Sequence, residues 1–560
     1  MSRARILPVW PPILAACLFG SPAAALAQCV FATSGAGRVL TYTFEPAVTS
    51  AGTTLHVTLA FQGGPEGMDT VEVPSHWAGE TLRGVTHLRA ITGDTVLAEA
   101  ASPGERLVRH PPNLEVTLAY DMVKDWTRLR HPAEFHGVLL PEYLEINGDN
   151  ALVHPVMPSQ TPVTVHFDWR LPGGWALATS FGTSPGGAGS ASSSRCQSYS
   201  GAWSDVQHAL FTAGEFRIHH FQIGARPAVL AVRGDWTFTD DEVIADIQKA
   251  VGIVRDFWHD DNFPYYLVTL KPFDEDKGDE DGSEFTNAFW LYLSRQDALS
   301  GTEFATLVHE TFHTWNPRRM GFFSGEDYQA LEWFREGFTQ YYGYLLACRA
   351  GLIEFPAYID NINRDLRDSP GSTNPYLRGR LIALWLNREI RRDSAGKSSL
   401  DNVMFDMVGE AAQPLTEARI LATAGRYLSP DSQRTLREAV QPGARIPAAG
   451  DALGKCVHGS MDEIVPFDLG FDFAASEQAG RVISVAPNGP AFAAGLREGQ
   501  EMVGYSVYHN QPDKAAKITI RTGDKRQTIE YFPRGRPLKV MQYHLDRQAY
   551  AGNPASCQAQ

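Results

Sequence analysis

Cysteine is scarce in this chain: six occur among 560 residues, and no two of them form a C-x-x-C pair. That spacing argues against a cysteine-built zinc cluster. A basic excess is also missing. The 49 Lys and Arg are outnumbered by 64 Asp and Glu, for a formal net charge of -15, which argues against nucleic acid as a partner. Beyond the amino terminus no apolar run is long enough to cross a bilayer. The low apolar content that marks disorder is absent too, since hydrophobic residues make up 43%. A chain of this length exceeds one ordinary core, and two to four domains are expected.

The first residues read as an export signal. Arg3 and Arg5 precede an apolar stretch from Ile6 to Gly20 that is broken by Pro8, Pro11 and Pro12, and Ala25-Leu26-Ala27 is an A-x-A cleavage signal. Residues 1–27 are therefore expected to be a signal peptide rather than an anchor. The mature chain is expected to be exported, periplasmic or secreted, with no integral membrane segment after cleavage. Five cysteines remain, and an odd count leaves one thiol free. Cys348 lies in the apolar run Tyr344-Leu345-Leu346-Ala347-Cys348 and is expected to be that buried thiol. Cys29 and Cys196 bracket one region and Cys456 and Cys557 another, so these two pairs are expected as disulfides. Other connectivities stay open at this level.

From Val30 to Leu171 short alternating runs such as Thr54–Leu59 and Val163–Phe167 predict an all-β domain, taken as residues 28–203. The Gly- and Ser-rich stretch from Gly182 to Gly201 reads as a mobile loop or linker. Asp240 to His259 carries helical spacing, Pro264 to Leu270 reads as a strand, and helical patterns dominate from Thr302 to about Leu436. Residues 204–450 thus read as an α+β domain with a helical half. Short strands and Gly-rich turns return after Asp462, within a third domain at 451–560.

The chemistry concentrates at Leu307-Val308-His309-Glu310-Thr311-Phe312-His313, an H-E-x-x-H motif inside a helical pattern. Histidines four apart leave one helix face and can meet one cation, and Glu310 is placed to take a proton from water on that cation. Two imidazoles and a carboxylate leave a tetrahedral position open, which favours zinc. Downstream stand Trp333-Phe334-Arg335-Glu336-Gly337-Phe338 and Pro375-Tyr376-Leu377-Arg378-Gly379.

This series of motifs resembles the gluzincin aminopeptidases, and most closely the glycyl aminopeptidase family, whose members also carry a C-terminal PDZ domain. Ile390–Asp401 is similar to a further stretch of that family. The resemblance implies a thermolysin-like catalytic domain. It also implies that Glu336 is the third ligand of one zinc ion per chain, that Glu310 is the general base, and that the Tyr376 hydroxyl stabilises the tetrahedral intermediate. Arg378 stands where the family motif has Lys. One choice remains: the alanyl aminopeptidase branch places its third ligand nineteen positions after the second His, which here is Glu332, whereas the Glu-Gly-Phe context selects Glu336.

Related enzymes bind the substrate's free amino group with a Glu in a G-x-x-E-N or G-G-x-E-H segment. Glu284 holds the matching place, after the acidic stretch 274–281, although Asp281 and Phe285 depart from that pattern. Phe467-Asp468-Leu469-Gly470-Phe471 resembles a PDZ carboxylate loop, which implies a peptide C-terminus as a partner taken by strand addition. The expected activity is removal of N-terminal residues, small ones such as Gly or Ala, from peptides. A zinc endopeptidase and an inactive peptide-binding scaffold are the alternatives.

Overall fold

The computed structural model describes residues 29, 31, 37–50, 52–77, 79–129, 133–184, 192–273, 280–295, 299, 301–321, 330–509, 511–523 and 525–557. The expected signal peptide and residues 274–279 of the acidic stretch lie outside them. The chain forms two compact units, one of residues 1–127 and 132–215, the other of residues 128–131 and 216–560. It is a multi-domain α+β protein.

The first unit is built on a six-stranded sheet. Its strands are β1 (Arg38–Thr49), β2 (Gly52–Gln62), β3 (Val85–Ala90), β4 (Glu115–Met122), β5 (Pro162–Pro172) and β6 (Ser192–Ala202), in the order β6-β5-β1-β2-β4-β3. Inward positions alternate along β1, where Leu40, Tyr42 and Phe44 are buried, as a half-buried strand requires. Phe44 stacks on Trp169 with ring centroids 4.1 Å apart. Leu210–Gly214 pairs with Tyr143–Asn147 and Ala176–Thr179, so this unit extends to Glu215.

The expected linker at 182–201 is corrected over its second half, while residues 185–191 lie outside the described residues. Ser192–Ala202 is a full strand paired to β5 along its length. Its small polar composition masks an alternation in which Arg195, Gln197 and Tyr199 turn inward while Cys196, Ser198 and Ser200 turn outward. Arg195 is held there by donating to the Trp175 carbonyl at 2.8 Å. Cys29 is bonded to Cys196, Cys456 to Cys557, and Cys348 is a buried free thiol, which is the pairing expected from the sequence.

The second unit opens with strands β7 (Arg217–Ile223) and β8 (Arg226–Val232), then helix α1 (Asp240–Trp258), which starts on a Thr239–Glu242 capping box. Strands β9 (Tyr266–Phe273), β10 (Glu280–Phe285) and β11 (Ala288–Ser294) complete a sheet in the order β7-β8-β9-β11-β10. The central strands β8, β9 and β11 run parallel and β10 returns antiparallel at the end. Every residue of β9 and β11 is buried, as strands covered on both faces demand. Among the described residues seven helices follow: α2 (Gly301–Phe312), α3 (Glu332–Arg349), α4 (Phe355–Asp368), α5 (Pro375–Asp393), α6 (Leu400–Gly409), α7 (Glu417–Gly425) and α8 (Pro430–Ala439). One apolar core runs from the sheet through these helices.

Strand β12 (Val457–Ile464) then pairs antiparallel with β16 (Leu538–Leu545). Both belong to the helical core: Tyr543 is buried in it, and the Asn363 side chain of α4 bonds the Tyr543 backbone N–H at 2.7 Å and its carbonyl at 2.8 Å. Between these two strands sits a small module with its own core around Val482, Ala491, Leu496, Ala516 and Ile518. It contains helix α9 (Phe473–Ala479) and a three-stranded sheet of β13 (Glu501–Ser506), β14 (Ala516–Thr522) and β15 (Lys525–Tyr531). Asp472 caps α9 directly after the loop Phe467–Phe471. No helix among the described residues is long and apolar enough to cross a membrane.

Candidate active site

Helix α2 delivers the first two histidines. It ends at Phe312, and the His313 N–H still donates to the His309 carbonyl at 3.3 Å, so the two rings leave the same face. Their centroids are 4.8 Å apart. The His313 Nδ1 lies 2.9 Å from the Asn316 carbonyl. A carbonyl only accepts, so Nδ1 carries the proton and Nε2 is left to bind a cation. Asn316 in turn donates from Nδ2 to the carbonyls of Phe334 and Arg335 and to the Thr339 hydroxyl, all on α3. Asn316 thereby fixes the tautomer of His313 through its backbone carbonyl and, through its side-chain amide, ties it to the helix that carries Glu336.

Helix α3 brings Glu336 against both rings. Its Oε2 is 3.4 Å from His309 Nε2 and 3.2 Å from His313 Nε2, while the two Nε2 atoms are 3.1 Å apart. Zinc–nitrogen bonds of about 2.0–2.1 Å in a tetrahedron put neighbouring donors about 3.3 Å apart. The three edges match one face of that tetrahedron, so the donor set fits zinc. Gly343 makes the approach of α3 possible, since a β-carbon there would meet the His309 β-carbon at 3.0 Å. Glu310 lies slightly farther out, 3.8 Å from His309 Nε2. The ligand atoms of His309, Glu310 and His313 all fall within 4.8 Å of one another, and Glu336 Oε2 comes closer to His309 Nε2 than Glu310 does, at 3.4 against 3.8 Å. Glu332 sits one turn earlier on α3, where its carboxylate acts on Tyr376.

The electrostatics follow from burial and mutual proximity. Burial works against the Glu336 charge, but His313 and His309 overcome it and hold the carboxyl well below the usual range. Burial also opposes a charge on His313, yet Glu336 and then Glu310 carry the imidazole up to about 9. His309 is lowered by burial, which keeps it neutral as a ligand must be. Burial pushes Glu310 up to about 8, with Glu336, Glu284 and Asp281 adding to the rise and His313 opposing it. Near neutral pH the metal-free site thus holds Glu336 ionised with protons on His313 and Glu310.

Tyr376 enters from the start of α5. Asn374 caps the helix by accepting from the N–H groups of Tyr376 and Leu377, and Pro375 occupies the first turn. The Tyr376 hydroxyl bonds Glu336, and its ring lies nearly parallel to that of His309 with centroids 6.2 Å apart. Burial first, and then the Glu336 and Glu310 carboxylates, keep the phenol protonated. Arg378 is buried behind it and donates to the carbonyls of Ser372, Ala439, Gln441 and Ala444. Five N–H groups in a planar fork suit that task, which a lysine ammonium cannot reproduce.

Glu284 lies on β10. Its carboxylate is engaged by the Arg318 guanidinium, Nη1 to Oε1 at 3.2 Å and Nη2 to Oε2 at 3.1 Å, with the Thr314 hydroxyl 3.4 Å from Oε1. Sequence reading missed Arg318, Thr314 and Asn316. All three lie within seven residues of the motif, but nothing in their spacing announces their partners.

Residues 302–385 match the profile of the M61 glycyl aminopeptidase family. No curated protein sequence matches the chain. Among solved structures, an aminopeptidase N family protein from Idiomarina loihiensis is 18% identical, covering 92% of this chain and 99% of its own, with a TM-score of 0.71. An M1 zinc metallopeptidase from Deinococcus radiodurans is 16% identical over 73% of this chain and 94% of its own, with a TM-score of 0.48. The first likeness extends to most of the fold, and the family match falls on the helices that carry both histidines, Glu336 and Tyr376. Over residues 302–385 the chain resembles the M61 glycyl aminopeptidases, and it is an enzyme of zinc aminopeptidase type.

Proposed function

We propose that the protein removes single small residues, Gly or Ala, from the free N-termini of peptides, using one zinc ion per chain in a thermolysin-like catalytic domain. The observation that carries this reading is the triangle of His309, His313 and Glu336, with Glu310 beside it and Tyr376 over it. Zinc bound there supplies a Lewis acid for the scissile carbonyl and acidifies its water. Glu310 takes the proton of the attacking water as the new carbon–oxygen bond forms. It then hands that proton to the leaving nitrogen as the carbon–nitrogen bond breaks. The Tyr376 hydroxyl donates to the oxyanion. Glu284 pairs with the substrate ammonium and sets the register of the first residue.

The two disulfides are compatible with an exported protein, and we assign it to the periplasm or the exterior. The domain division is taken as a β domain, a catalytic domain and a PDZ-like module. For that module we propose a peptide C-terminus as a partner, as its loop Phe467-Asp468-Leu469-Gly470-Phe471 suggests. The test of the main reading uses matched peptides, free and Nα-acetylated, with products identified by mass. Release of single residues from the free peptides alone supports it. Equal internal cleavage of both establishes an endopeptidase instead, and cleavage of neither by zinc-loaded protein establishes a scaffold.

A further inference from the structure

The carboxylate assigned above to the substrate ammonium already has a cationic partner within the chain. Glu284 is nearly buried, its side chain 6% exposed, and the Arg318 fork covers both of its oxygens. A carboxylate offers about four lone-pair positions. Arg318 takes two and Thr314 approaches a third. An ammonium arriving at Glu284 therefore meets a filled site.

The neighbouring arginine shows what a purely structural cation looks like here. Arg319 pairs with Asp260, and its guanidinium lies 5.3 Å from the ring centroids of both Phe263 and Trp315. It is held from three sides. Among the described residues the Arg318 guanidinium has no hydrogen-bond partner other than Glu284. Its release breaks one ion pair and leaves the turn after His313 anchored by Arg319 and Asn316.

We propose that Arg318 is an affinity-setting residue of the amine subsite, and that a peptide is admitted by ion-pair exchange in which its α-ammonium displaces the Arg318 guanidinium from Glu284. This rests on the aminopeptidase reading above. The exchange makes a free amino terminus the condition for entry, because a neutral N-acyl group that displaced Arg318 would leave a buried carboxylate unpaired. It also sets affinity: every substrate must break the internal pair, so Arg318 weakens binding at this subsite, while the Glu284 carboxylate sets the discrimination against neutral termini. Internal competition of this kind is a repulsive device as much as an attractive one.

The experiment compares the zinc-loaded wild type with Arg318→Met, which keeps the apolar stem, with Arg318→Lys, and with Glu284→Gln. The readouts are the KM and kcat of a free-amine peptide and the calorimetric Kd of alaninamide as an amine probe. In Arg318→Met, KM and the alaninamide Kd are both expected to fall about tenfold, the size of one charge-assisted pair, with the change in KM rather than kcat. Arg318→Lys is expected between the two. The gain is expected to vanish in the Arg318→Met/Glu284→Gln double variant. Unchanged or weaker alaninamide binding in both Arg318 variants, with Glu284→Gln still abolishing it, overturns the exchange and leaves the aminopeptidase reading standing. Undiminished alaninamide binding and peptide turnover in Glu284→Gln overturn the exchange together with the role of Glu284 as the amine anchor.

Discussion

Gly337 and Gly379 touch where α3 crosses α5. A β-carbon on Gly337 would lie 2.2 Å from the Gly379 α-carbon, and one on Gly379 would lie 1.9 Å from the Trp333 carbonyl oxygen. These are the glycines of the two motifs that carry Glu336 and Tyr376. Without side chains between them the two backbones come close enough for the Tyr376 hydroxyl to reach Glu336. Gly379→Ala is therefore expected to push the helices apart, destabilising the fold by about 3 kcal/mol, because backbone cannot yield as a flexible side chain does. Thermal unfolding measures the stability and peptide turnover measures the displaced tyrosine. A variant with wild-type stability and rate would show that the crossing has room to spare.

Glu310 stands outside the triangle of donors. Glu310→Gln is expected to retain zinc at one ion per chain and to lose about 10²- to 10⁴-fold in kcat, the range for a missing general base. Metal analysis and steady-state kinetics on the same sample decide it. Loss of zinc along with activity would make Glu310 a ligand.

The two candidate glutamates of α3 are one turn apart, yet only Glu336 reaches both imidazoles. Glu336→Ala is expected to strip the metal. Glu332→Ala is expected to keep it, with at most a modest effect through Tyr376. The reverse pattern in metal content would reassign the third ligand.

Zinc affinity is expected to depend on pH with a definite sign. In the metal-free protein His313 holds a proton up to about pH 9, and a ligand imidazole must be neutral. Zinc must therefore expel that proton at pH 7, and raising the pH from 6.5 towards 9 removes the competitor. Affinity should rise by roughly tenfold per unit for the one proton released. Glu310, raised to about 8, acts in the same direction as its ionisation adds negative charge beside the cation. Calorimetry in two buffers of different ionisation enthalpy counts the released proton. An affinity flat between pH 6.5 and 9 would contradict this picture.

The parts of the site legible in the sequence are those set by helical spacing or by a family motif. His309, Glu310 and His313 follow from one face of one helix, and Glu336 and Tyr376 from their motifs. The Arg318–Glu284 pair spans 34 positions and joins a turn to a strand, so no local pattern reveals it. Arg378 looked like a substitution within a motif, whereas its four carbonyl acceptors show why an arginine is wanted. Composition misled at Ser192–Ala202. Serine and glycine usually mark loops, and the alternation of Arg195, Gln197 and Tyr199 that makes this a strand is carried by only three larger side chains.

The pairing of β12 with β16 makes the intervening stretch 465–537 a guest on a hairpin whose two stems belong to the helical core. The Cys456–Cys557 bond closes the chain on the far side of those stems. A protease nick anywhere in the guest would thus leave both fragments joined, running as one band without reductant and two with it. The hairpin also permits excision of the whole stretch as a cassette, with Ile464 rejoined to Leu538 through a tight turn, because the core enters and leaves it at neighbouring positions.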